Sequence, residues 1–226
     1  MNALTSTAKP LTSPVHFRQV IEGNHPEVLS DIYQEDTNIV IWQRRLTSKL
    51  TEAAEAILIS DPTLQTSTVV SPQDAEATVR QTLGSTPFAV ILSEDIAHLV
   101  DMFCVLFDLK RVGLRLTALD RAMCPRFHID RVPCRLVTTY QGIATEWLPD
   151  SAADRSKLGT GNKGKTDDQS GIFRSVADIQ HLNQGDVALL KGELWDGNEG
   201  GGLIHRSPQL SGETHRLLLT LDFIDD

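Results

Sequence analysis

Apolar positions change period part-way along the chain. Up to about residue 111 they recur at helical spacing, and beyond it they alternate or fall in short runs. Leu50, Ala53, Ala54, Ile57 and Leu58 share one stripe and predict a helix over 47–59, with Thr47 as N-cap and Pro62 just past its end. Ser71-Pro72 opens a second helix that runs to about residue 83, and Gly84 ends it. Ile96, Leu99, Val100, Phe103, Leu106 and Phe107 predict a third over 93–110, capped by Ser93. Residues 38–44 have the β-branched density of a strand, and 64–70 alternate like one.

After Gly113, Leu114, Leu116 and Ala118 alternate with Arg115, Thr117 and Leu119. Further strands are predicted at 135–140, 145–148, 187–191 and 217–223, with strand-like pieces at 172–173, 179–182 and 203–204. Helices first and many short strands afterwards predict an α+β fold whose helices pack outside a β-sandwich or barrel. No internal repeat is visible.

Residues 1–14 are rich in Thr, Ser and Pro and read as a flexible tail. The remainder, 15–226, is expected to be a single domain with an α/β part at 15–111 and a β-rich core at 112–226. Residues 150–171 are rich in Gly, Lys, Asp and Ser and read as a mobile insertion between strands, a candidate lid. The Gly/Lys run at 159–165 lacks phosphate-loop spacing.

The composition, 40% hydrophobic and 23% charged, is that of an ordinary globular domain. The net charge of −9 argues against a nucleic-acid partner. Three cysteines, Cys104, Cys124 and Cys134, form no disulfide framework, which fits a reducing compartment. The first residues lack the basic-then-apolar pattern of a signal peptide, and the apolar stretch at 96–109 contains His98, Asp101 and Asp108. A cytoplasmic protein with no membrane association is therefore expected.

The candidate chemistry centres on Cys124-Pro125-Arg126-Phe127-His128-Ile129-Asp130. Residues two apart on an extended strand share a face, so the His128 imidazole and the Asp130 carboxylate would converge. The plainer alternative is a surface pair or a buried hydrogen-bonded pair. His205, preceded by Gly200-Gly201-Gly202, supplies a third donor, the glycines letting the backbone approach closely. Two His and one Asp form a facial triad that leaves positions on a metal open. Arg216 heads an apolar strand pattern, on the same face as Leu218 and Thr220. An interior Arg there needs an anionic partner. Oligomeric state and substrate, a small molecule or a protein, are not legible.

The ordered set His128, Asp130, Gly185-Asp186-Val187, His205, then Gly212 through Arg216, resembles the C-terminal half of the Fe(II)/2-oxoglutarate dioxygenases. That resemblance implies a double-stranded β-helix of jelly-roll or cupin type. It also implies Fe(II) on His128, Asp130 and His205, and 2-oxoglutarate chelating the metal with its far carboxylate on Arg216, in service of C–H hydroxylation. Cys124 to Asp130 and Glu146-Trp147-Leu148-Pro149 are similar to an uncharacterised bacterial family, domain of unknown function 1826, over most of the chain. That family brings no established activity.

Competing residues stay open at this stage. Imidazole suits iron, zinc and nickel alike. Cys124 and Cys134 flank the His-x-Asp and read as small buried thiols, but a Cys124 thiolate with His128 would make a zinc site and a non-catalytic metal-binding protein. His215 competes with His205, and Arg206 with Arg216, although Arg206 is expected on the opposite face. His98 and His181 read as surface or core fillers. Trp147 and Trp195 read as packing aromatics that could instead line a substrate mouth.

Overall fold

A computed structural model of the chain describes residues 17–210 and 215–224. The expected tail at 1–14 and the turn at 212–214 lie outside the described residues. The chain opens with β1 (Gln19–Gly23), a 3-10 segment (Pro26–Tyr33) and β2 (Thr37–Trp42). Then come α1 (Ser48–Ser60), β3 (Gln65–Val70), α2 (Ala75–Leu83), α3 (Pro87–Phe107) and β4 (Val112–Leu119). The second half holds β5 (Cys134–Gln141), β6 (Glu146–Leu148), α4 (Asp167–Ser170), β7 (Gln180–His181), β8 (Val187–Lys191), β9 (Ile204–Arg206) and β10 (Arg216–Asp222).

Seven strands form one sheet in the order β1-β2-β8-β5-β10-β4-β3, antiparallel apart from the β1–β2 pair. A second sheet, β7-β6-β9, faces it. The outer face of the large sheet, with Leu114, Leu136, Leu189 and Leu219, packs against Ile57, Leu92, Ile96, Leu99 and Phe103 of α1 and α3. Its inner face, with Ile39, Ile41, Val137, Leu190 and Leu218, packs against Trp147 of β6 and Leu203. The core is a double-stranded β-helix with the helices outside. No helix among the described residues is long and apolar enough to cross a membrane.

Two helix starts differ from those read in the sequence. α3 begins at Pro87, capped by Thr86, whose hydroxyl accepts from the Ala89 N–H at 3.1 Å. Ser93 is not a cap. It lies inside the helix, buried, and donates to the Val90 carbonyl at 2.9 Å. The run Phe88-Ala89-Val90-Ile91-Leu92 is apolar on every side, so the stripe that marks a helix is invisible there. α2 starts at Ala75 rather than at Pro72. Ser71 instead heads a turn whose carbonyl accepts from the N–H groups of Asp74 and Ala75. Residues 172–173 form no strand, only a single bridge between Ala153 and Phe173. The strand β1 and the 3-10 segment after it lie outside the elements read from the sequence, although Val28, Leu29, Ile32 and Tyr33 of the latter recur at helical spacing.

The segment 150–171 lies between β6 and β7, built from short 3-10 turns and α4. It touches the site region at several points, among them a hydrogen bond from Arg126 to the Lys165 carbonyl. Buried Asp167 accepts from the Phe127 N–H at 2.9 Å and from Arg206 at 3.0 Å. Arg155 joins Asp150 to the Gly202 carbonyl at 2.7 and 2.8 Å.

Candidate metal centre

His128 and Asp130 do not sit on a regular strand, contrary to the strand geometry invoked for them. Their convergence comes instead from an isolated antiparallel bridge between His128 and His205. His128 N–H donates to the His205 carbonyl and His205 N–H to the His128 carbonyl, both at 3.0 Å. His205 is itself held in β9, opposite Trp147 of β6. The Asp130 carbonyl accepts from Glu193 N–H at 3.0 Å, which fixes the backbone beyond the pair. Gly202 allows the approach: a Cβ there would lie 2.5 Å from the Ile129 side chain.

Three side chains meet as a result. His128 Nε2 lies 3.4 Å from Asp130 Oδ1, and His205 Nε2 lies 3.3 Å from Asp130 Oδ2. The imidazole centroids are 4.6 Å apart. One donor atom from each of His128, Asp130 and His205 lies within 4.8 Å of the others, close enough to share one cation. Each ring turns its other nitrogen to a carbonyl, His128 Nδ1 to Arg126 at 2.8 Å and His205 Nδ1 to Leu203 at 3.3 Å. Those contacts place the N–H on Nδ1 and leave both Nε2 lone pairs for a metal.

Arg135 of β5 completes the surroundings. Its Nη1 donates to Asp130, and its Nε and Nη2 donate to Asp222 of β10 at 2.7 and 3.0 Å. Burial alone would raise the Asp130 pKa, but its contacts with His128, His205 and the Arg135 guanidinium hold it far below the usual carboxylate range. Burial lowers the His128 pKa, and the contacts with Asp130 and the Arg126 carbonyl more than reverse that, for a net rise.

Arg216 lies at the start of β10 on the inner face and is only 1% exposed. Its guanidinium donates to the Thr139 hydroxyl (Nη2, 3.0 Å) and the Thr145 hydroxyl (Nη2, 2.7 Å), and Nη1 has no partner among the described residues. Burial brings its pKa down to about 10. Arg216 lines one cavity together with His128, His205, Arg135 and Leu218.

Of the competing residues, Arg206 and Cys124 line the same cavity as Arg216, contrary to the opposite face expected for Arg206. Arg206 is paired with Glu146 at 2.6 Å and Asp167 at 3.0 Å and lies over the Phe127 ring. Cys134 is buried, but Cys124 is exposed, unlike the two buried thiols expected, and it is not part of the three-donor group. His215 is outside that group too. His98 and His181 are exposed, and Trp147 is core. Arg135, Asp222, Thr139 and Thr145 were not picked out from sequence. Their only signal is shared register, since all four face inward from β5, β10 or the strand edge.

No curated protein matches the sequence. Among solved structures, the fold is similar to dioxygenase for auxin oxidation 1 from Arabidopsis thaliana in binary complex with 2-oxoglutarate. The TM-score is 0.51 at 9% identity, over 91% of each chain. Others are a Pseudomonas putida prolyl-4-hydroxylase (TM-score 0.44, 12% identity, 87% of this chain and 96% of that one) and Neurospora crassa T7H in complex with α-KG and 5-formyluracil (0.48, 8%, 96% and 87%). At such identities the likeness is one of fold. By sequence, residues 23–222 match the model described as "Protein of unknown function (DUF1826)", and the chain belongs to that family.

Proposed function

We propose that this protein is an Fe(II)- and 2-oxoglutarate-dependent oxygenase that hydroxylates a C–H bond of its substrate. The observation that carries this reading is Arg216. A fully buried cation that among the described residues meets two neutral hydroxyls and no anion, with no partner there for Nη1, is costly unless an anion completes it. It lines the same cavity as two imidazoles whose Nε2 atoms face one carboxylate. A dicarboxylate that chelates a metal at one end and meets an arginine at the other satisfies both groups.

His128, Asp130 and His205 would hold the iron. When bound, iron and 2-oxoglutarate supply oxygen activation coupled to decarboxylation of the 2-oxo acid. The chain's own residues do the rest. The Arg126 and Leu203 carbonyls hold the tautomer of each imidazole. Arg135 keeps Asp130 ionised and oriented. Thr139 and Thr145 aim the Arg216 guanidinium, and Val137, Leu190 and Leu218 wall the cavity against water. One domain over 15–226 working in a reducing cytoplasm belongs to the same proposal, and the three free cysteines accord with it.

Anaerobic titration of the metal-free protein with Fe(II) and 2-oxoglutarate tests it, with Arg216→Met alongside. A visible charge-transfer band that needs both components and weakens in the variant is expected. Tight stoichiometric zinc that ignores 2-oxoglutarate would replace this reading with a non-catalytic metal-binding protein.

A further inference from the structure

The inner face of the large sheet changes character across its width. Over β2 and β8 it is apolar and covered by the small sheet. Over β4 and β3 the inward positions include Thr117, Arg115, Gln65 and Ser67 beside the apolar Leu119 and Val69, and of the polar four all but Thr117 are exposed. The register places them beside the candidate site. Leu218 and Thr220, which line the Arg216 cavity, pair with Thr117 and Arg115, and these pair in turn with Gln65 and Ser67. The polar rows thus begin one strand, about 4.8 Å, from the cavity. They form the floor of a cavity of about 550 Å³, closed at one end by Arg121 and Met123 of the loop that leads to His128. That size suits a small molecule.

Packing does not account for these residues. Leu114, Leu116 and Ala118 supply the core contacts of β4 from its other face. Arg115 is the group without a committed partner. Its one carboxylate neighbour among the described residues is Asp222, at 3.7 Å, and Asp222 is already held by two hydrogen bonds from Arg135. The half-exposed guanidinium stands in a chain of net charge −9, with Arg121 nearby and Asp120 as the only acidic lining residue.

We propose that this groove is the substrate subsite and that it takes a small organic acid. The substrate carboxylate pairs with Arg115, its polar groups meet Gln65, Ser67 and Thr117, and its far end reaches towards His128 and His205. The proposal rests on the oxygenase reading for its chemistry, but not for its binding.

The test is NMR on the full chain as purified, with and without Zn(II) and 2-oxoglutarate. The probes are phenylacetate, 3-hydroxybutyrate and glutamate, each against its primary amide. At least one acid should shift the backbone signals of β3 and β4 and the Arg115 Nε–H, binding about tenfold tighter than its amide. Arg115→Gln, at an exposed position, should weaken it about tenfold and leave the Fe(II)/2-oxoglutarate band unchanged. Ser67→Asp, which sets a carboxylate opposite Arg115, should do the same. Acids that leave these signals unmoved, or bind Arg115→Gln equally well, overturn the proposal. Acids that bind here in a protein showing no charge-transfer band would overturn the oxygenase reading and leave the groove assignment standing.

Discussion

His128 and His205 are tethered identically. Each donates its backbone N–H to the other's carbonyl at 3.0 Å, and each ring sets Nδ1 against the carbonyl two residues before it, Arg126 or Leu203. The backbone half of that arrangement does not depend on the imidazoles. His128→Ala and His205→Ala should therefore keep the fold while metal content falls from about one equivalent per chain to about a tenth or less. Metal analysis beside near-UV circular dichroism checks this. Full metal retention in either variant would remove that residue from the ligand set.

Arg135 spans Asp130 and Asp222, so among the described residues its loss leaves Asp130 without an arginine and Asp222 with only the longer Arg115 contact at 3.7 Å. Arg135→Leu should lower metal affinity about 10–100-fold and stability by about 3 kcal/mol. Metal titration and urea denaturation would separate the two effects. Unchanged metal affinity in a variant that is still folded would confine Arg135 to a structural role.

Arg216 sets stability against function. Arg216→Met removes a buried charge that has no anion in the free protein, and should stabilise the chain by about 1–3 kcal/mol. The same change should weaken 2-oxoglutarate about thirtyfold, equivalent to about 2 kcal/mol. Denaturation midpoints and the charge-transfer titration report the two quantities. A variant that is destabilised yet binds 2-oxoglutarate normally would count against the assignment.

Lys191 gives a pH signature away from the site. It is 1% exposed, donates to the Gln34 carbonyl at 3.0 Å and sits over the Trp195 ring, and burial lowers its pKa to about 8. In the unfolded chain it titrates near the ordinary lysine value, about 10.4. Between those values the unfolded state holds more protons, so this group makes stability rise with pH. Below about pH 8 its penalty is constant. The stability of the natural protein minus that of Lys191→Met should climb from about pH 8 to about pH 10 and stay flat below. Urea denaturation across that range measures it, and parallel curves would refute it.

The residues that the structure gathers round the cavity, His128, Asp130, His205 and Arg216, were legible because imidazole, carboxylate and guanidinium in that order are chemically distinctive. What supports them was not. Thr139 and Thr145 are common strand residues, and nothing in their identity tells that they face a buried arginine. Arg135 reads as a surface charge until the register places it opposite Asp222. Strand β8 is apolar on both faces because helices cover one side and the small sheet the other, which erases the alternation that marks a face. The same loss of contrast hid the start of α3.

Strand β10, last among the described strands, lies inside the large sheet between β5 and β4. During synthesis those two neighbours are made long before the strand that joins them. Until residue 222 has left the ribosome, β4 and β5 each present an open row of backbone donors and acceptors. The β-helix therefore closes only after synthesis has passed β10, and nascent chains halted earlier are the species most prone to pair with one another.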